Sequence, residues 1–153
     1  SRMRGGFSTG PSPRPPIRDL GLPPWEALVC YEALFPGELA KSGERPALLV
    51  NITNDGWFGD TIGPHQHFHQ ARVRAVEQGL PLIRVANNGI TAVTDADGRV
   101  RSRLGLNQRG VIDADVPGSR TPPLYARAGD IPFVILMLLA ATWVARRRNR
   151  PQP

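Results

Sequence analysis

The pattern of apolar and polar positions predicts short strands arranged around one helix. Four apolar runs have the length and the flanking turn residues of strands: 25–30, 46–53, 80–86 and 110–116. The two middle runs are continuously apolar, as in strands buried on both faces of a sheet. The stretch 90–104 alternates around Asp97 and Gly98, which predicts a hairpin because glycine takes the positive φ of a tight turn.

A helix is predicted over 64–79, between the second and third runs. It begins with Pro64 and ends at Gly79, and its apolar residues recur with the i, i+3, i+7, i+8 spacing of one helical face: Phe68, Ala71, Ala75 and Val76. A shorter helical turn is predicted at 35–43. The order of strand, helix, strand and hairpin predicts an α/β fold, as one layer of a sandwich rather than a complete domain.

The stretch 131–145 contains no charged residue and is followed directly by the sequence RRRNR. A helix that is apolar on every side needs a large protein around it, or lipid. Trp143 and the arginines fit an interfacial aromatic and the positive-inside rule. The stretch reaches only about 22 Å of a roughly 30 Å hydrocarbon core unless flanking residues contribute. We expect a transmembrane helix over 131–147, with a cytoplasmic tail and a periplasmic domain before it.

Charge and cysteine content narrow the classes of function. The net charge of +6 does not indicate nucleic-acid binding, because four arginines in the last eight residues carry most of it. The body of the chain has no basic stripe interleaved with aromatic residues. The single cysteine, Cys30, excludes an internal disulfide and leaves a free thiol.

Residues 1–24 are rich in Gly, Pro, Ser and Arg, which predicts an extended and poorly ordered lead-in. This segment lacks the apolar core of a signal peptide. Because the residues that follow are expected on the exported side of a membrane, we expect the chain to be the C-terminal piece of a longer protein.

Cys30 is the main candidate for chemistry. It lies where a predicted strand gives way to a turn, a place where a nucleophile reaches the edge of a sheet with backbone N–H groups nearby. The reactive thiolate needs a base or a cation beside it, and Glu32 lies two residues further on. A buried structural cysteine is the more common case for such a position. Both interpretations stay open on spacing alone.

The three histidines do not predict a metal site. His65 and His69 share a helical face, His67 points away, and the HExxH pattern is absent. We expect a solvated or capping role for them. The loop 54–60 lacks the twelve-residue pattern of a calcium loop and predicts a turn. Nothing in the sequence indicates a cofactor.

Four motifs occur in an order that resembles one known family: C-Y-E at 30–32, N-D-G-W-F-G at 54–59, G-P-H-Q-H-F at 63–68 and N-N-G-I-T-A at 87–92. They resemble the C-terminal part of the bacterial apolipoprotein N-acyltransferases, inner-membrane proteins with a nitrilase-like periplasmic domain. The resemblance runs from about Phe7 to the end of the chain. It implies a partial nitrilase-like α-β-β-α sandwich.

The resemblance implies a chemistry in which a Glu, a Lys and a Cys act together. Cys30 matches the nucleophile, and the backbone N–H of Tyr31 matches an oxyanion donor. Glu32 matches a supporting residue, and Trp57 an aromatic at the rim where the substrate passes. The implied reaction moves an acyl chain from a phospholipid to Cys30 as a thioester, then to the N-terminal amine of the diacylglyceryl-cysteine of an apolipoprotein. The implied partners are therefore phospholipid, apolipoprotein and membrane, with no nucleic acid.

One feature departs from the family pattern. The catalytic Glu and Lys of the family precede the Cys, whereas Lys41, the only lysine, follows Cys30, and Glu26 lies within its own predicted strand. We therefore expect both groups to lie before Ser1, and the chain alone to lack acyltransferase activity. Its exposed half-sheet should make it prone to aggregation.

The predicted organisation has five segments, which are a lead-in, the C-terminal half of a nitrilase-like domain, a linker, a transmembrane helix and a basic tail: 1–24, 25–120, 121–130, 131–147 and 148–153. Two alternatives to the acyltransferase remain. One is a nitrilase-type amidase acting on small C–N substrates, and the other is a membrane-anchored module without catalytic activity.

Overall fold

The computed structural model describes residues 14–19, 21–36 and 44–148. Within these ranges one sheet is formed by five strands: β1 (Trp25–Val29), β2 (Leu48–Asn54), β3 (Leu82–Asn87), β4 (Thr91–Thr94) and β5 (Val100–Leu104). Short 3-10 helices follow the first two strands, at Cys30–Leu34 and at Gly56–Phe58. The α-helices are α1 (Gly63–Gln78), α2 (Leu124–Ala128) and α3 (Ile131–Arg148).

The strands lie in the sheet in sequence order. β1, β2 and β3 are parallel, and β4 and β5 continue the sheet in antiparallel pairing. Parallel neighbours need a crossover, and α1 provides it between β2 and β3. The predicted α/β fold is confirmed in its main features, as is the hairpin, whose turn contains Gly98 at φ +73°.

The core lies between α1 and one face of the sheet. Leucines from the three parallel strands, Leu28, Leu49 and Leu82, pack there with Ala71 and Ala75 of the helix. The predicted helix is confirmed, because Pro64 occupies its first turn and Gly79 ends it in the left-handed conformation. This packing fixes the carboxyl ends of β1, β2 and β3 side by side.

The opposite face of the sheet is partly uncovered. Val29, Ile52 and Val85 occupy paired positions on the three parallel strands, so they form one row across the sheet. They are 57%, 55% and 51% exposed. The expectation that the second and third runs are buried on both faces is therefore wrong at this end, since no described residue covers the row.

The stretch 110–116 is not a strand. Its residues lie at the surface, with Val111 93% exposed, and within the described residues it joins no sheet. The length and flanking turn residues of this stretch predicted a strand, but a strand also needs a neighbour with which to exchange hydrogen bonds. The helical turn predicted at 35–43 lies mostly outside the described residues. The linker predicted at 121–130 contains α2.

Part of the lead-in packs against β1. Ile17 forms an isolated antiparallel bridge with Trp25, and the indole nitrogen of Trp25 donates to Asp19 at 3.1 Å. Arg14 forms an ion pair with Glu32 at 3.4 Å. The expectation of a poorly ordered lead-in is therefore wrong for 14–19, whereas 1–13 lie outside the described residues.

The helix α3 carries a continuous apolar surface. None of its residues is buried, and its last turn contains Arg146, Arg147 and Arg148. Throughout the part of the chain that the structure describes, no helix combines the length and apolar composition required to cross a membrane. The transmembrane helix predicted over 131–147 is therefore not supported.

Candidate active site around Cys30

Cys30 is the first residue of the 3-10 helix that directly follows β1, where the chain turns sharply. It is half-buried, and its φ is +50°. This left-handed conformation is uncommon for any residue with a side chain and costs about 1–2 kcal/mol. Such strain persists only when the surrounding structure holds it in place, and it occurs frequently at functional sites.

Three side chains hold the backbone on both sides of Cys30. Asn51 donates from Nδ2 to the carbonyl of Leu28 at 2.8 Å. Glu32 accepts the backbone N–H of Val29 on Oε2 at 2.7 Å. His67 lies with Nε2 3.3 Å from the carbonyl oxygen of Cys30 itself. The turn is therefore held from β2, from α1 and from its own helix.

A buried polar network lies beneath this turn. Asp55 accepts hydrogen bonds from Nδ1 of His67 at 2.8 Å and from Nη2 of Arg84 at 2.7 Å. Arg84 also donates from Nη1 to Oδ1 of Asn51. All four side chains are buried. Burial of a charge is costly unless the charge is paired and hydrogen-bonded, and here the guanidinium and the carboxylate pair with each other, while Nε of Arg84 has no hydrogen-bond partner among the described residues.

Strand register explains why these residues meet. Leu28, Asn51 and Arg84 occupy paired positions on the three parallel strands. Paired residues point to the same face, and this face is the one covered by α1. Asp55 directly follows β2, so it lies at the carboxyl end of the sheet, where ligands commonly bind in α/β proteins.

The network shifts the pKa values of its two charged members. Burial acts to raise the pKa of Asp55, but the hydrogen bond from His67 and the charge and hydrogen bond of Arg84 outweigh it, so the pKa lies below its ordinary value. Burial lowers the pKa of Arg84, opposed by the charge of Asp55 and by an electrostatic interaction with Cys30. Asp55 therefore stays ionised at neutral pH.

Gly89 is required where the turn after β3 approaches Asp55. A Cβ atom at this position would lie 2.7 Å from Cγ of Asp55, a distance that real Cβ contacts do not show. This approach accounts for the glycine in the N-N-G-I-T-A motif. The motif therefore contributes to the site by allowing the chain to pack directly against the network.

A mostly apolar pocket of about 520 Å³ adjoins the turn. The aromatic rings of Tyr31, Phe58 and His67 lie together at this pocket, with 5.5 Å between the ring centres of Tyr31 and His67. Leu34 and Ile62 add aliphatic surface. The pocket offers an apolar ligand a place directly beside the residue that follows Cys30.

The residues predicted from the sequence are partly brought together. Cys30, Tyr31 and Glu32 form the first turn of one 3-10 helix. Tyr31 is its second residue, where a backbone N–H has no partner within the helix. Trp57 is 85% exposed, and the wall of the pocket is formed by its neighbour Phe58. The roles predicted for these four residues stay predictions.

Three residues of the network were missed from the sequence, and a fourth was misjudged. Asn51, Asp55 and Arg84 were not singled out, although a polar or charged residue within an apolar strand is a signal of a buried partner. His67 was expected to be solvated or to cap the helix. That expectation is wrong, because His67 is only 4% exposed and faces the sheet. The described residues contain no group of three or more His, Cys, Asp or Glu side chains that could hold a metal ion.

The strain at Cys30 predicts an unusual order of stability. Cys30→Gly should leave the protein more stable than Cys30→Ala by about 1 kcal/mol, because glycine takes a positive φ without steric cost. Urea unfolding of both variants gives the comparison. Ala27, in the extended backbone of β1, provides the control, since Ala27→Gly should lower stability there. Equal or lower stability of Cys30→Gly would contradict the strained conformation.

The lowered pKa of Asp55 predicts a loss of stability in acid. The carboxyl titrates near its ordinary value of 3.8 in the unfolded chain and lower in the folded protein. Between the two values the unfolded state binds a proton that the folded state does not bind. The stabilisation is therefore complete above the ordinary value and is lost as the pH falls through the folded pKa. Unfolding free energies from about pH 5 to about pH 2 should show this dependence, and it should be weaker in Asp55→Asn.

Comparison with known proteins places this site in a family. The family model described as carbon-nitrogen hydrolase matches residues 7–124, which include the whole sheet, the turn at Cys30 and the buried network. The chain belongs to the carbon-nitrogen hydrolase family. Membership in this family agrees with the mixed α/β fold and the five-stranded sheet of the chain.

Individual relatives carry a more specific name. The chain is 51% identical over 148 residues to the apolipoprotein N-acyltransferase of Bradyrhizobium diazoefficiens, over 97% of its own length. It is 45% identical over 151 residues to that of Rhodopseudomonas palustris, and 42% identical over 153 residues to that of Caulobacter vibrioides. These alignments cover 99% and 97% of this carbon-nitrogen hydrolase chain. The resemblance found in the motifs is thus confirmed.

The chain spans only part of those relatives. It covers 27% of the protein from Bradyrhizobium diazoefficiens and 28% of each of the other two. The matched part contains all the described residues around Cys30.

Proposed function

We propose that this chain provides the nucleophile of an N-acyltransferase that completes lipoproteins. In this reaction an acyl chain passes from a phospholipid to Cys30 and then to the N-terminal amine of a diacylglyceryl-cysteine. The observation that carries the proposal is the strained turn at Cys30, which is held by buried side chains beside an apolar pocket. The names of the relatives supply the acceptor, an apolipoprotein, and the family resemblance implies the phospholipid donor.

The proposed chemistry has two steps. The sulfur of Cys30 attacks the ester carbonyl of the phospholipid, the ester C–O bond breaks, and the lysophospholipid leaves as an alcohol that takes the thiol proton. The lipoprotein amine then attacks the thioester, a C–N bond forms, the C–S bond breaks, and the amine proton returns to the sulfur. A nucleophile that is acylated and then deacylated splits one difficult transfer into two easier ones.

Three further roles belong to this proposal. The N–H of Tyr31 stabilises the oxyanion of each tetrahedral intermediate. Glu32 supports the turn by accepting the N–H of Val29. Trp57, exposed beside Phe58, contacts the incoming acyl chain or lipopeptide. The family resemblance implies that a glutamate and a lysine ahead of the nucleophile complete the chemistry, and Lys41 does not match that lysine because it follows Cys30.

Contact with the inner membrane of a bacterium is part of the proposal, because donor and acceptor are both lipids. The apolar side chains of α3 are exposed by half or more at most positions, for example Phe133 at 64% and Leu136 at 65%. Lipid would remove this surface from water at about 25 cal/mol per Å². Arg147 lies over the ring of Trp143 at 4.0 Å, an arrangement suited to the headgroup region. The predicted orientation, with the site periplasmic and the tail cytoplasmic, stays a prediction.

A hydrolytic activity is the second candidate, favoured by membership of the carbon-nitrogen hydrolase family. An amidase would form a thioester at Cys30 from a small amide, with the C–N bond broken and the amine leaving, and water would then break the C–S bond to give a carboxylic acid and the free thiol. The two activities differ in the donor that acylates the sulfur. A membrane-anchored module without catalysis would form no thioester with either donor.

The test is to trap the thioester on Cys30. The full-length product of the gene is placed in phospholipid vesicles without an acceptor. The mass of the peptide that contains Cys30 is then measured. We expect an added acyl chain that hydroxylamine removes. Acylation by small amides but not by phospholipid would favour the amidase. The absence of any adduct would contradict both enzymes and favour the module.

A further inference from the structure

We propose that His67 is a positioning residue, which holds the strained backbone of Cys30 through its carbonyl oxygen and is itself fixed by the buried pair of Asp55 and Arg84. The proposal concerns the shape of the turn. Its consequence for catalysis rests on the proposed function, because positioning matters only if Cys30 is the nucleophile.

The two ring nitrogens of His67 face different acceptors. One lies 2.8 Å from the carboxylate of Asp55 and the other 3.3 Å from the carbonyl oxygen of Cys30. Both partners accept hydrogen bonds and a neutral imidazole has only one N–H, so the ring donates to both at once only when both of its nitrogens carry a proton. The ring therefore connects the buried pair to the main chain of the nucleophile. It is directed at the backbone, which distinguishes a positioning role from that of a general base.

The buried network also binds a second carbonyl next to the turn, that of Leu28. Arg84 contacts Asp55 and also Asn51, and Asn51 donates to the carbonyl of Leu28. The carbonyls of Leu28 and Cys30, two residues apart along the chain, are thus both bound by side chains that Arg84 connects. These two restraints, one on each carbonyl, keep the chain from relaxing into the right-handed region that residues with a Cβ prefer.

The ring of His67 is closely packed. His67 is only 4% exposed, and its ring lies 5.5 Å from Tyr31 and 5.8 Å from Phe58. A ring held on its edges by hydrogen bonds and beside two aromatic rings has little freedom to move. A displacement of about 1 Å in a reacting group costs as much as about a hundredfold in rate.

The test compares two substitutions of similar size that differ in hydrogen bonding. His67→Gln retains an N–H donor for the carbonyl of Cys30, whereas His67→Met does not. Phe68→Leu serves as the control for lost stability, because Phe68 is the adjacent core residue and packs with Ile90 and Ala92, in a cluster separate from the one that contains Leu28. The variants are compared at equal free energy of unfolding, which is adjusted with urea.

Two measurements are made on each variant. Amide hydrogen exchange of 29–32 reports the backbone of the turn without any assumption about activity. We expect exchange at least about tenfold faster in His67→Met than in His67→Gln or Phe68→Leu. The second measurement is the rate of thioester formation at Cys30 in the full-length product of the gene. This rate should be about tenfold or more slower in His67→Met, with the KM for phospholipid unchanged. His67→Gln should restore most of the rate.

The outcomes separate the two proposals. Equal exchange at 29–32 in His67→Met and in His67→Gln would overturn the positioning role. A slower reaction that follows stability, and so appears equally in Phe68→Leu, would overturn it as well. If exchange differs as expected but the unaltered protein forms no thioester, the hold of His67 on the turn is supported and the proposed acyltransferase function is contradicted.

Discussion

Cys30→Ala should abolish acyl transfer while leaving the fold intact. The substitution removes the only sulfur nucleophile of the chain, and loss of a nucleophile lowers kcat by at least about a thousandfold in enzymes of this kind. The fold should persist because the side chain is only half-buried and takes part in neither core cluster. The measurement is the rate at which a diacylglyceryl peptide gains a third acyl chain in vesicles containing the protein expressed from its own gene.

The control for this prediction is Arg103→Ala, an exposed position on β5, which should retain the full rate. Cys30→Ser tests the chemistry more narrowly, because a hydroxyl of nearly the same size lacks the acidity of a thiol. Persistence of third-chain addition in Cys30→Ala would exclude this residue as the nucleophile. The proposed function would then have no group in the described residues on which to rest.

Arg84→Met should destabilise the fold more than any other single substitution named above. The change leaves the carboxylate of Asp55 buried without its cation, and breaking a buried ion pair costs about 3–5 kcal/mol. It also removes the N–H that Arg84 donates to Oδ1 of Asn51, and Asn51 is the residue that binds the carbonyl of Leu28. Urea unfolding followed by circular dichroism in mild detergent gives the free energy of unfolding.

An exposed ion pair provides the comparison for Arg84. Arg99 lies close to Asp97, with its side chain 70% exposed, and Arg99→Ala should cost less than about 1 kcal/mol. The double variant Asp55→Asn with Arg84→Met removes both charges and should lose less than the sum of the single losses. Similar losses in Arg84→Met and in Arg99→Ala would show that the buried pair does not stabilise the fold.

Much of the fold follows from local patterns in the sequence. The helix over 64–79, the strands that became β1, β2 and β3, and the hairpin around Gly98 were each predicted from periodicity and turn residues. Such patterns succeed because each element buries its own apolar stripe. The strand predicted at 110–116 is wrong because the composition and length of a stretch say nothing about whether a neighbouring strand is present.

The site was less accessible to prediction. Cys30 and its two neighbours were identified from the order of motifs, but Asn51, Asp55, His67 and Arg84 are brought together only by strand register and by the crossover of α1. Within this network the hydrogen bond between Arg84 and Asn51 joins residues 33 positions apart along the chain. A spacing rule within one element cannot detect contacts of this kind. The strained φ of Cys30 was equally hidden, because it depends on those contacts.

The uncovered apolar row of Val29, Ile52 and Val85 has a consequence for how the surroundings of the sulfur are completed. Val29 is covalently joined to Cys30, and its side chain points to the face that α1 leaves open. Any apolar layer that settles on this row comes within one residue of the proposed nucleophile, so covering the sheet and enclosing the sulfur become a single event.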